Sequence, residues 1–145
     1  MGKRIAMITI ALLISVRVGS ATFKMGMSVP FSTANMLRLM NQIGIAYPDV
    51  VFAQARLETG NFTSKVFREN KNLFGMKLPR VRSTTAIGEQ NNHASYIRWQ
   101  HSVADYKLWQ DEVIKKYRTK RAYLRYLSKN YAEDKKYIHK LKQML

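Results

Sequence analysis

Glu58 closes the stretch Gln54-Ala55-Arg56-Leu57-Glu58-Thr59-Gly60, and a second cluster, Asn72-Leu73-Phe74-Gly75-Met76-Lys77, follows it along the chain. Pro48 and Asp49 supply a helix-start signal and Gly60 a stop, with Val50, Val51, Phe52, Ala53, Ala55 and Leu57 helix-compatible in between. The spacing therefore predicts a helix whose last turn carries Glu58. A carboxylate there faces the negative end of the helix dipole, which disfavours its charged form by up to about 1 kcal/mol. Apolar neighbours such as Leu57 and Phe74, packed close, raise the pKa further. A carboxyl that keeps its proton near neutral pH can act as a general acid. On this stretch alone, an ordinary surface glutamate is an equal reading.

Two more motifs follow in order: Trp99-x-x-Ser102-x-x-Asp105-Tyr106, then Tyr131-Ala132-x-Asp134-x-x-Tyr137. With the first two they resemble the peptidoglycan N-acetylglucosaminidase domain of bacterial autolysins, flagellar peptidoglycan hydrolases and phage lysins, which is glycoside hydrolase family 73 and is also called mannosyl-glycoprotein endo-β-N-acetylglucosaminidase-like. The resemblance runs from Ser32 to Leu145. It implies a mainly α (α+β), lysozyme-like fold, a helical body with one small β-hairpin lobe flanking an active-site groove. It also implies cleavage of the β-1,4 bond between N-acetylglucosamine and N-acetylmuramic acid, with Glu58 as proton donor.

Glycosidic hydrolysis needs that acid and usually a second group that assists water or the oxocarbenium-like transition state. Glu89 is the candidate for a second catalytic carboxylate on the hairpin, with a turn glutamate as the other reading, and family members can use the substrate's own acetamido group instead. The resemblance places the Tyr131 hydroxyl in the active site, orienting acid or water, and Phe74 along the sugar site. Asn72 is a further substrate-site candidate that can equally shape its loop. Tyr96 and Trp99 either stack on a sugar ring or fill the hairpin's core.

The elements that must position these groups are mostly helices. Ser32 can cap a helix through Met36, Leu37, Met40 and Ile43, ended by Gly44. A turn and short helix are expected over 61–71, with Val66 and Phe67 facing the core, and Pro79 blocks continuation. Thr84, Thr85 and Ile87, then Tyr96, Ile97 and Trp99, are strand formers separated by the polar run Glu89–His93, which predicts a hairpin over 82–99. Ser102-x-x-Asp105 matches a capping box, followed by Tyr106, Trp109, Val113 and Tyr117 at helical spacing as core. Two last helices are expected, over 121–128 and 134–145, with Asp134 capping the second.

Composition sets the outer limits. The chain of 145 residues is long enough for one domain with a core that needs no metal or disulfide, and it has no cysteine. His93, His101 and His139 lack ligand-like spacing and read as surface residues, so neither a metal site nor a cofactor is expected. The net charge of +16 predicts attraction to polyanions, and from Lys115 to Leu145 only Glu133 and Asp134 offset the lysines and arginines. Zinc-finger spacing, a phosphate-binding glycine loop and an RNA-binding aromatic signature are missing, so no specific nucleic-acid partner is expected. Peptidoglycan glycan strands and anionic wall polymers are the expected partners of a monomer.

Lys3 and Arg4, the apolar run Ile5–Ile14, and small residues Gly19, Ser20 and Ala21 read as a signal peptide over 1–21, followed by a linker over 22–31 and the catalytic domain over 32–145. The run is too short to span a membrane. Export to the periplasm, envelope or exterior follows, unless translation starts later, at Met25 or Met27. Two rival functions fit the same residues: a lytic transglycosylase, which leaves an anhydro sugar end, and a non-catalytic basic wall-binding module.

Overall fold

The computed structural model describes residues 15–18, 21–24, 29–131, 134 and 136–145. Most of the expected leader, including Lys3, Arg4 and the apolar run to Ile14, lies outside the described residues. β1 (Ser15–Val18) and β2 (Ala21–Lys24) pair antiparallel, Ser15 opposite Lys24.

The body is helical. α1 (Thr33–Gln42) is capped by the Ser32 side chain, which accepts from the Asn35 amide at 3.1 Å, and buries Met36, Leu39 and Met40. α2 (Pro48–Glu58) starts with Pro48 at its first turn, and Gly60 follows its end in the left-handed region at φ 54°. α3 (Lys65–Asn70) is capped by Ser64. α4 (Trp99–Ile114), α5 (Lys120–Asn130) and α6 (Tyr137–Met144) complete the body. No helix among the described residues is long and apolar enough to cross a membrane.

Two apolar clusters flank α2. Val51 and Ala55 join Met36, Met40, Leu73, Phe74 and Tyr106 in one, and Val50 and Ala53 join Tyr123, Leu127, Tyr137 and Leu141 in the other. The central helix thus packs on two sides, and the loop over 72–76 contributes Leu73, Phe74 and Met76 to the first cluster. The chain from Val29 onward is tied into this body: the Val29 carbonyl accepts from Trp99 Nε1 at 2.9 Å, and Phe31 packs edge-on against Trp99 and Phe67. The end of the segment read as linker is therefore part of the domain's packing.

The hairpin exists, but in a different register from the one expected. Its strands are β3 (Gly88–Gln90) and β4 (His93–Ser95), made from the polar run itself, with Gly88 opposite Ser95 and Gln90 opposite His93. Asn91 and Asn92 both take positive φ (52° and 56°), the backbone that a two-residue turn requires, and this turn fixes the register. The strand formers are used elsewhere. Tyr96 is buried and Trp99 begins α4. Buried Asn70 staples the hairpin to α3, donating to the Gln90 carbonyl at 2.5 Å and accepting from Asn91 Nδ2 at 3.0 Å.

Ser102 and Asp105 do not form a capping box. They lie inside α4, whose N-cap is Arg98, and both are fully buried. Ser102 Oγ accepts from the Leu73 amide at 3.0 Å, and Asp105 holds Arg82 through two hydrogen bonds at 2.7 and 3.0 Å. Long-range partners, not the helix terminus, have claimed these side chains. Asp134 does contribute ahead of α6: its carboxylate accepts from the Lys136 amide at 2.8 Å, although Lys136 is the cap itself.

Candidate active site

Glu58 is the last residue of α2, as its sequence signals indicate, and it is half-buried. Burial raises its pKa above the ordinary glutamate value, against the influence of the neighbouring Tyr137 hydroxyl, which lowers it. From the loop side Gly75 closes onto the carboxyl. A Cβ built on Gly75 would stand 3.1 Å from Glu58 Oε2, and Gly75 has φ 63°, a conformation that glycine adopts without strain.

The loop that delivers Gly75 is organised by Asn72. Its Oδ1 accepts from the Phe74 and Met76 amides, both at 3.2 Å, and its Nδ2 donates to the Met76 and Ala94 carbonyls, both at 2.9 Å. One buried amide thereby closes the loop on itself and fastens it to β4. Asn72 is 1% exposed, so its role in this conformation is to shape the loop, not to reach substrate.

The other expected sugar-site side chains are also inside. Phe74 is 1% exposed and packs on Tyr106 with ring centroids 4.3 Å apart, so it lies beneath the site instead of lining it. Tyr96 is buried with its hydroxyl donating to Asp105 Oδ2 at 2.7 Å. Trp99 packs against Phe31. For both, the core-filling alternative is the one seen. Large aromatics this close to a helix-rich core gain more from burial than from solvent.

Tyr131 follows α5 and directs its hydroxyl to the Phe74 carbonyl at 2.7 Å. It sits close enough to Glu58 to feel its charge, and burial first, then Tyr137 and Glu58, hold its phenol protonated. Its ring stacks on Tyr137 at 5.9 Å. Tyr131 thus fastens the loop over 72–76 beside Glu58.

Glu89 is exposed on β3 opposite Ala94. Among the described carboxylates, Asp49, Asp105, Asp111, Glu112 and Asp134 are paired with Lys120, Arg82, Lys107, Lys115 and Lys140, and Glu69 accepts from Asn91. Glu89 has no such commitment among the described residues.

His101 departs from expectation. It is 8% exposed within α4, and burial, then the charge of Arg98, lowers its pKa. Gln54, Tyr106 and Tyr137 acquire roles that the motif reading did not assign. Gln54 stands one helical turn before Glu58, so the two share a face of α2, and that spacing was the available signal. Its Nε2 donates to the Tyr137 hydroxyl at 3.1 Å, and its Oε1 accepts from the Tyr106 hydroxyl at 2.5 Å.

The arrangement is therefore a half-buried carboxylic acid at a helix end, with the side-chain-free backbone of Gly75 against it and the Tyr137 phenol near it. It can deliver a proton to a leaving group and then hold the carboxylate that results.

Comparison with known proteins gives three matches. The glucosaminidase family model, described as mannosyl-glycoprotein endo-beta-N-acetylglucosaminidase, matches residues 33–145. Protein bax of Escherichia coli (strain K12) is 32% identical over 116 residues, which cover 79% of this chain and 40% of that protein. The chain thus spans about two fifths of that relative's length. A chain in the structure of a type VI secretion system effector-immunity complex from Pseudomonas protegens superposes with a TM-score of 0.54 at 18% identity, covering 77% of this chain and 86% of that one. The likeness is one of fold, and the helical body with its small hairpin is lysozyme-like.

Proposed function

The chain belongs to the mannosyl-glycoprotein endo-beta-N-acetylglucosaminidase family, and from that membership we propose that it is a peptidoglycan hydrolase cleaving the β-1,4 bond between N-acetylglucosamine and N-acetylmuramic acid, with Glu58 as general acid. The observation that carries this reading is the Glu58 carboxyl itself: it ends α2 half-buried, its pKa raised by burial, with Gly75 and Tyr137 against it.

In the first step the Glu58 proton passes to the glycosidic oxygen as the bond from that oxygen to the sugar C1 breaks. Positive charge develops on the ring, and Glu58 is left as a carboxylate, a form that the nearby Tyr137 hydroxyl favours. Water then adds to C1 and loses a proton. Glu89 is the proposed carboxylate that assists this second half, because, Glu58 apart, it alone among the described acids has no partner among the described residues, and it lies on the hairpin. The acetamido group of the substrate is the alternative assistant. Tyr131 acts by holding the loop over 72–76 against Glu58.

Substrate location fits export through the leader read at residues 1–21. The basic face of α5 and α6, where Arg121, Arg125 and Lys142 border an apolar groove floored by Leu124 and Ile138, suits anionic wall polymers. Digestion of purified peptidoglycan tests the reading. The unaltered protein should release soluble fragments, and Glu58→Gln, folded by circular dichroism, should not. Near-normal release by that variant would overturn it.

A further inference from the structure

A groove of about 440 Å³ opens at the N-terminus of α4, bordered by α3 and by the chain that leads into α1. Phe31, Phe67, Ile97 and Trp99 give it apolar walls. Arg68, Lys71 and Arg98 add three cations, and no acidic residue lines it. Ile97 is 55% exposed, so the groove holds apolar surface in water that a bound group would cover.

Two features of this place point to what it takes. The first is the helix end. α4 runs for 16 residues, yet its N-cap is Arg98, no side chain caps it and no acid stands in its first turn. Its first amides are left without a side-chain acceptor at the positive end of a long helix dipole, which favours an anion. The second is Gln100, a groove residue only 7% exposed. Gln100 Nε2 and Trp99 Nε1 both donate to the Val29 carbonyl, at 3.1 and 2.9 Å. A carbonyl only accepts, so the Gln100 amide has one orientation. Its Oε1 is then a buried acceptor with no donor among the described residues. Such an atom is costly, and an N–H brought into the groove would satisfy it.

We propose that the groove binds a short acidic peptide. Its carboxylate lies at the start of α4 beside Arg68, its amide N–H serves Gln100 Oε1, and its small apolar side chains rest on Ile97 and Trp99. A peptide carries all three groups on one chain, whereas a phosphodiester polymer brings the charge without the N–H. Under the proposed function, on which this choice of peptide rests, it is the stem that peptidoglycan carries on its muramic acid. The groove is linked to the acid's end of α2 by one layer of rings. Phe31 packs on Phe62 at 5.0 Å, and the Phe62 amide donates at 2.8 Å to Oγ1 of Thr59, the residue after Glu58.

The test is titration of the full chain with the free peptide L-alanyl-γ-D-glutamyl-diaminopimelic acid, followed by the indole N–H signals in nitrogen-15 NMR. The chain has two tryptophans, so Trp109→Phe leaves the Trp99 indole as its one such signal and assigns it. The Trp99 indole should shift and saturate with peptide, in Glu58→Gln as in the unaltered protein. Arg68→Glu, an exposed change, should weaken binding about tenfold or more. The Trp109 indole, packed on Tyr106 and Tyr131, reports that this variant keeps its fold. No shift at Trp99, an equal shift with inorganic phosphate at the same ionic strength, or unchanged affinity in a folded Arg68→Glu would each overturn the proposal. Retained hydrolysis by Glu58→Gln would instead overturn the assignment of the acid, and the titration would still decide the groove.

Discussion

Gly75 and Glu58 are in contact across the site: the position of an absent Cβ on Gly75 lies 3.1 Å from Glu58 Oε2. The end of α2 and the loop over 72–76 are thus built to each other's shape. The Glu58 carboxyl thereby has side-chain-free backbone against it at Gly75.

Gly75→Ala should be damaging twice over. The positive φ disfavours a side chain by about 1 kcal/mol or more, and the new methyl presses on the carboxyl. A lower Tm together with reduced hydrolysis is expected. Full activity at unchanged Tm would mean that this contact is unimportant.

Glu58→Gln should lower turnover by about a hundredfold to ten-thousandfold, the usual contribution of a positioned general acid. Its stability should change with pH in a defined sense. Because the folded pKa is raised, Glu58 favours the fold most below the ordinary value of 4.5, and that contribution is lost as pH rises through the folded pKa. The Tm advantage of Glu58→Gln over the parent should therefore grow from acid toward neutral pH. Thermal unfolding across that range checks it.

Much of this site was legible because local chemistry dictated it. Pro48 and Gly60 bound α2 and so place Glu58 in its last turn, and Ser32 caps α1 as its type and position suggest. What was not legible depends on distant partners. Ser102 and Asp105 match a capping box in spacing, yet Leu73 and Arg82 engage them in mid-helix. Strand formers Tyr96 and Trp99 go to the core while polar residues make the hairpin, because the Asn91–Asn92 turn sets the register. Phe74 reads as a sugar-site aromatic in its motif, but the space under the loop belongs to it. The partnership of Gln54 with Tyr106 and Tyr137 joins three helices, and only their packing reveals it.

Asp105→Ala should destabilise strongly. It leaves the Arg82 guanidinium and the Tyr96 hydroxyl without their buried acceptor, and breaking such a pair from one side costs roughly 3 kcal/mol. Denaturant unfolding should show the loss. A change within a few tenths of a kcal/mol would mean that the pair contributes little.

Binding to anionic wall polymers should weaken steeply with salt, because exposed charges are screened over about 10 Å at 0.1 M. Arg121→Glu combined with Arg125→Glu should reduce retention on intact walls more than hydrolysis of soluble glycan fragments. Equal losses in both assays would place these residues in the cleavage site instead.

Under the proposed function this chain hydrolyses the glycosidic bond after N-acetylglucosamine through Glu58. Mass analysis of borohydride-reduced ends from peptidoglycan digested by the unaltered protein and by Glu58→Gln decides it. Reduced N-acetylglucosamine ends from the unaltered protein and none from the variant are the predicted result. Anhydromuramic ends, or the same ends from both proteins, would contradict it.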